Sequence, residues 1–245
     1  MNIEVILTPA ELPALAQRDL GAAVCAVFDV LRATTTLVTA LHNGANEVIP
    51  VSEISEALAI RKRRPSVLLG GERQGLKIHA DGIDFDFGNS PREYTPGKVH
   101  GKTIVSTTTN GTRALRACAR AKSVLASSFL NLNATAKFVR AGKFESFLIV
   151  CAGTHENAAL EDILAAGALC EAISAGDDAL SDSAKVALSA FTQAKPDLDR
   201  ILRGSVNARR LLSIPELHDD VAFCLQRDVV DAPAALGRDG AMRLI

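Results

Sequence analysis

The sequence predicts an α/β protein in which helices cover both faces of a largely parallel sheet. Short runs of β-branched and apolar residues recur through the first 155 residues, separated by turns and by stretches with helical periodicity. These runs are apolar throughout, which is typical of parallel strands buried on both faces. The composition agrees, because 48% hydrophobic residues with only 4% aromatic ones leave Ala, Leu, Val and Ile to build the core.

The predicted elements change in kind along the chain. Strands are predicted at Ile3–Leu7, Val24–Phe28, Glu47–Val51, Val67–Leu69, Thr103–Ser106, Ser123–Ala126 and Phe147–Cys151. After Gly153 the pattern is helical without a clear strand, and helices are predicted at Ala159–Ser174, Ser183–Ala194, Leu198–Leu212 and Pro215–Arg227. We therefore expect one unit, residues 1–245, in which a helical region 156–245 packs on an α/β core 1–155. The segment Gly70–Gly101 is long for a loop, which marks it as functional.

Charge and cysteine content limit the classes of function. The 27 basic and 28 acidic residues give a net charge of −1 with no long block of one sign, so neither nucleic acid nor a membrane surface is indicated as a partner. The five cysteines are widely spaced among apolar residues, as reduced core residues are. No basic N-terminal segment is present, and Asp29 interrupts the apolar stretch Gly21–Leu31, so neither a signal peptide nor a membrane span is predicted. We expect a cytoplasmic protein.

Polar segments follow several of the predicted strands. In an open parallel sheet, ligands collect outside the carboxyl ends of the strands, where loops and helix N-termini converge. The segments at such places are 28–36, 70–73, 84–91, 106–113 and 151–153, the last with Glu161 and Asp162 shortly after it. We expect them to form one site.

Asp29 and the run Thr107–Arg113 are the strongest indications of anion chemistry. Asp29 ends an apolar strand, where a carboxylate is costly unless it caps a helix, is paired or binds metal. Capping of the helix that begins near Arg32 is one alternative. Arg32 favours binding instead, because a guanidinium at a helix N-terminus opposes the dipole but can hold a phosphate with two hydrogen bonds. Thr107–Arg113 offers hydroxyl groups, an amide and a Gly where a helix begins, which indicates an anion site, with an ordinary Asn-Gly turn as the alternative.

Carboxylates near the same places indicate a metal. Glu72, Asp86, Glu161 and Asp162 supply the hard oxygen ligands that Mg²⁺ binds. Glu161 and Asp162 begin a helix, so a favourable interaction with its dipole is the alternative. The five His residues show no ligand spacing with Cys, which argues against zinc. P-loop, dinucleotide-binding and nucleophile-elbow motifs are absent.

Taken together, these segments resemble the 2-phosphosulfolactate phosphatase (ComB-type) family. The matching stretches are Asp29–Thr36, Gly70–Arg73, Asp86 with Gly88–Pro91, Ser106–Arg113, Cys151–Gly153 with Glu161, Asp162 and Gly167, and more weakly Asp220 and Asp228. They follow in the family's order over nearly the whole chain. The resemblance implies a three-layer α/β/α fold with a largely parallel or mixed sheet and a helical C-terminal third. It also implies a Mg²⁺-dependent phosphatase of coenzyme M biosynthesis that converts 2-phosphosulfolactate to 3-sulfolactate and phosphate.

The resemblance further implies roles for individual residues. It assigns catalysis to Asp29, Arg32 and Asp162, and it assigns Mg²⁺ binding to Asp29, Glu72, Asp86 and Glu161. It assigns substrate binding to Thr34, Thr35, Arg73, Asn89, Ser90, Thr108, Asn110, Gly111, Thr112 and Arg113. Arg32, Arg73 and Arg113 would bind the phosphate and a second anionic group. Two mechanisms stay open: Asp29 attacks phosphorus, or Asp29 helps to hold a Mg²⁺ whose water attacks.

The chain departs from the family pattern in places. Asp84 stands where the family has Gly before Phe-Asp, which adds negative charge near the site, and an Arg within Ser205–Leu211 stands where Gly is expected. A non-catalytic phosphometabolite-binding or regulatory domain is the alternative function. The clustered carboxylates argue against it, because like charges repel an anionic ligand. A homodimer is compatible with the apolar helical C-terminal third.

Overall fold

The computed structural model describes residues 1–142, 144–175 and 178–245. The strands are β1 (Asn2–Ile6), β2 (Val24–Phe28), β3 (Glu47–Pro50), β4 (Leu68–Arg73), β5 (Leu76–Lys77), β6 (His79–Ala80), β7 (Ile83–Asp84), β8 (Thr103–Thr107), β9 (Ser123–Ser127), β10 (Ser146–Cys151), β11 (Ala179–Leu180), β12 (Ala234–Leu236) and β13 (Met242–Leu244). The helices are α1 (Leu12–Leu15), α2 (Ala33–His42), α3 (Ile54–Arg63), α4 (Pro96–Val99), α5 (Gly111–Ala117), α6 (Leu132–Ala141), α7 (Leu160–Ile173), α8 (Asp182–Ala194), α9 (Leu198–Arg203), α10 (Val206–Leu212) and α11 (His218–Cys224). Every predicted strand is present.

The main sheet has eleven strands in the order β11-β1-β10-β2-β9-β12-β13-β3-β8-β4-β5. It consists of two parallel blocks, one around β10 and β2 and one around β3, β8 and β4. The C-terminal hairpin β12–β13 lies between the blocks and is antiparallel to β9 on one side and to β3 on the other. The sheet is therefore mixed, and helices cover both of its faces, which confirms the predicted α/β class.

Two helices bring the site corners together. Alternation along β2 places Val27 in the core beneath α2 and α5, and Phe28 in the core beneath α6, α7 and α8. Because α2 connects β2 to β3 and α5 connects β8 to β9, each helix crosses from one parallel block to the other. Their N-termini consequently meet: a Cβ added at Gly111, the first residue of α5, would lie 2.6 Å from the Cβ of Ala33, the first residue of α2.

The C-terminal strands correct the sequence interpretation, which placed no strand after Gly153. β12 and β13 have three residues each, too few for period-2 alternation to stand out. A turn signal was present, because Asp239-Gly240 separates the two strands and Gly240 has a φ of +80°. The hairpin forms because each strand pairs with the exposed edge of a parallel block.

The helical region also differs in detail from the prediction. The helix expected over Leu198–Leu212 is divided into α9 and α10. Gly204 caps the end of α9, and Ser205 is the N-cap of α10, where its Oγ accepts the Ala208 N–H at 3.1 Å. The helix expected over Pro215–Arg227 shortens to α11. Among the described residues, no helix has the length and apolar character needed to cross a membrane.

The segment Gly70–Gly101 is not a single loop. Gly70 and Gly71 belong to β4, and Gly71 has a φ of +141°. A Cβ at Gly71 would lie 2.0 Å from the carbonyl oxygen of Thr107, so the pairing of β4 with β8 requires glycine. Beyond β4, short strands bury Phe85 and lead the chain back to the carboxyl end of the sheet.

Candidate functional site

Asp29 lies directly after β2, beneath the N-termini of α2 and α5. Its Oδ1 accepts the main-chain N–H of Ala33 at 2.9 Å, which satisfies one of the free amides of α2. Its Oδ2 faces Gly111, since a Cβ added there would lie 2.9 Å from this oxygen. The residue is only 7% exposed. The capping interpretation is therefore correct for one oxygen, while the other faces the cleft described below.

Asp162 joins two loops. Its Oδ1 accepts the Val30 N–H at 2.8 Å, and its Oδ2 accepts the Gly153 N–H at 2.9 Å. Both oxygens of the buried carboxylate are thus used by the main chain next to Asp29. In this structure Asp162 fixes the position of the corner that carries Asp29.

Glu72 and Glu161 surround Asp29 with further negative charge. Glu72 accepts the Thr109 N–H at 2.8 Å and the Gly75 N–H at 2.6 Å, one at each oxygen. Because Glu72 takes the Thr109 amide, this part of the predicted anion site in the Thr run is already occupied. Glu161 accepts from the Asn207 Nδ2 at 2.6 Å through Oε1, while its buried Oε2 has no hydrogen-bond partner among the described residues.

Burial and mutual repulsion raise the pKa values of two carboxylates in this cluster. Burial, together with the charges of Glu72 and Glu161, raises the pKa of Asp29 to about 7, against the lowering effects of the Ala33 amide and Arg32. Burial and the charges of Asp29 and Glu161 likewise raise the pKa of Asp162 well above its usual range. Within the described ranges, no three His, Cys, Asp or Glu side chains form a group that could hold a metal.

Arg32 is buried in an ion pair. Its Nη1 donates to the Asp220 Oδ2 at 2.8 Å, and its side chain is 4% exposed while that of Asp220 is fully buried. The Ser90 Oγ donates to the other oxygen of Asp220 at 2.7 Å, and the Arg92 Nη1 lies 3.6 Å from it. Asp220, on α11, therefore joins the Arg32 corner to the segment that contains Ser90.

An open cleft of about 700 Å³, its solvent-filled mouth included, lies over these residues. The cleft is lined by Asp29, Leu31, Arg32, Glu72, Gln74, Gly75, Leu76, Asn89, Thr109, Asn110, Thr154, His155, Asn207, Arg210, Leu211, Ile214 and Leu217. Five of the predicted site residues are in this set: Asp29, Arg32, Glu72, Asn89 and Asn110. The Thr109 Oγ1 is buried and has no hydrogen-bond partner among the described residues.

Other predicted residues have different surroundings. Arg73 donates to the Ser52 carbonyl and the Thr107 hydroxyl, each at 2.9 Å. Arg113 is 40% exposed and pairs with Glu156 at 2.6 Å. Neither guanidinium lines the cleft.

Asp86 is not brought to the carboxylate cluster. Its Oδ2 pairs with the Arg61 Nη1 at 2.8 Å and accepts the Leu69 N–H at 2.7 Å. The Asp lies in the matching motif, but its side chain stabilises the helix α3 and strand β4 instead. The predicted set of four Mg²⁺ ligands is therefore not assembled in this structure.

The predicted threonines bond within their own corners. Thr34 Oγ1 donates to the Asp29 carbonyl at 3.0 Å, and Thr35 Oγ1 donates to the Val30 carbonyl at 2.8 Å. Thr112 Oγ1 donates to the Thr108 carbonyl at 2.7 Å. These hydroxyl groups shape the βα corners and do not line the cleft.

The structure adds residues of α10 that the sequence did not indicate. Asn207, Arg210 and Leu211 line the cleft and are spaced i, i+3 and i+4, so they share one face of the helix. Asn207 Nδ2 also donates to the Thr154 Oγ1 at 2.7 Å. The departure from the family pattern within Ser205–Leu211 was the available signal, but it did not indicate which residues face the site.

The sequence of the whole chain supports a family assignment. A model of the 2-phosphosulpholactate phosphatase family matches residues 6–235. The chain belongs to this family. Proteins named probable 2-phosphosulfolactate phosphatase include one from Thermotoga petrophila, 44% identical over 203 residues that cover 83% of this chain and 84% of the relative. Another, from Caldanaerobacter subterraneus subsp. tengcongensis, is 41% identical over 229 residues, or 92% of each chain, and one from Gloeobacter violaceus is 37% identical over 235 residues, or 95% of this chain and 94% of the relative.

The match to the 2-phosphosulfolactate phosphatase family includes the whole cleft. All residues that line the cleft lie within 6–235, as does Asp220 on α11. The resemblance found in the separate sequence motifs is therefore confirmed at the level of the family.

Proposed function

We propose that this member of the 2-phosphosulfolactate phosphatase family hydrolyses the phosphate monoester of a small anionic acid, with 2-phosphosulfolactate as the substrate and 3-sulfolactate and phosphate as products. The observation that carries the proposal is the cleft itself, where buried carboxylates meet the Arg32 guanidinium and a hydroxyl oxygen, Thr109 Oγ1, that has no hydrogen-bond partner among the described residues. Buried polar atoms are normally hydrogen-bonded, so the Thr109 Oγ1 and Glu161 Oε2 favour a ligand or ion in or beside the cleft.

The residues of the cleft suit a phosphoryl group next to Asp29. Its Oδ2 makes no hydrogen bond among the described residues, so it can act on phosphorus or bind a cation. Asn89 and Asn110 supply amide donors, and Arg32 supplies positive charge held in place by Asp220. Asp162 keeps the Asp29 corner rigid through its two main-chain hydrogen bonds. Both mechanisms require the Asp29 carboxylate.

The available oxygens fit Mg²⁺, which we propose as the cofactor. Mg²⁺ commonly takes one or two carboxylates, with water and substrate phosphate completing its ligands. Asp29 Oδ2 and Glu161 Oε2 would hold it, whereas both oxygens of Glu72 already accept main-chain amides. When bound, the ion would neutralise the charge of the phosphoryl group and of the carboxylates.

The first experiment measures phosphate release from 2-phosphosulfolactate and from an aryl phosphate, with Mg²⁺ and with EDTA. We expect release that requires Mg²⁺ and strongly favours 2-phosphosulfolactate. Mg²⁺ should also raise the Tm of the wild-type protein, and should do so less for Glu161→Gln. Metal-dependent release from the aryl ester alone would support phosphatase activity but reject 2-phosphosulfolactate as the substrate. No release from either compound would favour the phosphometabolite-binding domain.

Gly111→Ala tests the placement of Asp29. The added Cβ would lie 2.6 Å from the Ala33 Cβ and 2.9 Å from the Asp29 Oδ2, so the corner must shift. We expect kcat to fall about 10- to 100-fold, because small displacements of a reacting group are costly, and stability to fall by about 1–3 kcal/mol. Gly97→Ala is the matched control, since nothing lies within 4 Å of its added Cβ. Full activity in Gly111→Ala would show that this contact does not position Asp29.

We further propose that the protein works in a reducing compartment, the cytoplasm. All five cysteines are free and buried, which agrees with their interpretation as reduced core residues. A small phosphoester would be its partner. The homodimer stays a prediction.

A further inference from the structure

Two guanidinium groups meet at one turn on the rim of the cleft. Arg210, on α10, donates through Nη2 to the Gln74 carbonyl. Arg32 Nη2 lies 3.4 Å from the next carbonyl along the chain, that of Gly75. A Cβ at Gly75 would lie 2.7 Å from the Arg210 Nη2, and Gly75 has a φ of +82°, so glycine permits this close approach. Arg32 and Arg210 therefore face the cleft from neighbouring positions.

The two arginines differ in their counter-charges. Arg32 is neutralised by Asp220 at 2.8 Å. Arg210, which is exposed, has no carboxylate within ion-pair distance in the part of the chain that the structure describes. Its positive charge is thus available in the cleft that the carboxylates Asp29 and Glu72 also line. An anionic group placed between the two guanidiniums would offset their mutual repulsion.

The other arginines that the sequence predicted to bind an anion are held by other partners and do not line the cleft. Arg73 is bonded to Ser52 and Thr107, and Arg113 pairs with Glu156 outside the cleft. A substrate that carries a phosphate and a second anion needs a second cationic group at some distance from Asp29. Arg210 meets this requirement because it lines the same cleft from α10, whereas Asp29 follows β2.

We infer that Arg210 determines specificity by binding the second anionic group of the substrate, a sulfonate or carboxylate, while the phosphoryl group lies next to Asp29. This inference rests on the proposed phosphatase function. It gives Arg210 no part in the bond-breaking step. Substrates without a second anion should therefore be insensitive to its removal.

The test compares two substrates in three proteins: wild type, Arg210→Ala and the control Arg209→Ala. Arg209 is also exposed but does not line the cleft. For 2-phosphosulfolactate we expect KM to rise about 10-fold or more in Arg210→Ala with kcat changed less than about two-fold, and Arg210→Lys to recover part of the loss. For 4-nitrophenyl phosphate we expect kcat/KM to stay unchanged. Arg209→Ala should match wild type with both.

The outcomes separate this inference from the function on which it rests. Equal losses with both substrates, or no loss with either, would overturn the role of Arg210 and leave the phosphatase intact. If wild type released phosphate from neither compound, the proposed function would be overturned and the specificity role with it. Thermal unfolding of each variant checks that the comparison is made between folded proteins.

Discussion

Asp29→Asn is expected to lower phosphate release by on the order of 10³-fold or more while making the protein more stable at pH 8. Activity falls because both mechanisms need the carboxylate, and an amide neither attacks phosphorus nor binds a cation well. The side chain keeps its size, and its carbonyl oxygen can still accept the Ala33 N–H. Activity measured at saturating Mg²⁺ with the proposed substrate checks the first part.

The gain in stability follows from the titration of Asp29. Its pKa in the folded protein is about 7, against an ordinary value of 3.8. Between these pH values the folded protein holds a proton that the unfolded chain has lost, so the free energy of unfolding decreases as pH rises and levels off about one pH unit above the folded pKa. Ionisation of the buried Asp29 lowers the free energy of unfolding by roughly 2–4 kcal/mol at pH 8, and the variant avoids this loss because Asn cannot ionise. The advantage should shrink as pH falls towards 4.

Urea unfolding at pH 5 and pH 8, in EDTA, measures this difference. Asp231→Asn is the matched control, because its carboxylate is exposed and pairs only with the exposed Lys137 among the described residues. We expect the control to keep wild-type activity and to change stability by less than about 1 kcal/mol at both pH values. Wild-type turnover in Asp29→Asn would reject both mechanisms, and a stability gain independent of pH would reject the raised pKa.

Asp220→Ala is expected to lower the free energy of unfolding by about 3–5 kcal/mol and to raise KM. The substitution leaves the buried Arg32 charge without its partner and removes the acceptor of the Ser90 hydroxyl. Breaking one side of a buried ion pair is more costly than losing an exposed pair, because the remaining charge stays out of water. Chemical unfolding and steady-state kinetics measure the two effects.

Two further variants separate the effect of Asp220→Ala on stability from its effect on substrate binding. Asp219→Ala, next in sequence, removes a carboxylate that is 70% exposed and lies 3.3 Å from Arg92, so we expect less than about 1 kcal/mol. Replacing both members of the pair, as Arg32→Met with Asp220→Leu, should recover stability because no unpaired charge remains. The double variant should still bind substrate poorly, since Arg32 is lost. Recovery of both properties would show that Arg32 has no part in binding.

Local sequence patterns determined the α/β class and the corners of the site. Continuous apolar strands between helices could be recognised because each signal lies within a few consecutive residues. Asp29 and Arg32 were recognised for the same reason, since a buried strand ends at one and a helix begins beside the other. Glu72, Asn89 and Asn110 followed from their motifs and also line the cleft.

The misplaced residues show the limit of such patterns. Asp86 belongs to a matching motif, yet its carboxylate pairs with Arg61 and the Leu69 amide. Arg113 lies in the first turn of α5, three residues after Asn110, but its guanidinium extends to Glu156 at the surface. A motif gives the position of a residue along the chain, whereas the direction of a long side chain depends on which partner the fold places within reach.

The sequence by itself determined that buried parallel strands would end in polar corners carrying Asp29, Glu72 and an arginine, because strand burial and helix starts are local properties. Only the tertiary structure decided which distant residues complete the site. Asp220 pairs with Arg32 across 188 positions of the chain, and Arg210 reaches Gln74 across 136. The physical reason is that the C-terminal segment inserts its hairpin between the two parallel blocks and lays α10 over the cleft, and this arrangement depends on edge pairing and helix packing that no local pattern records.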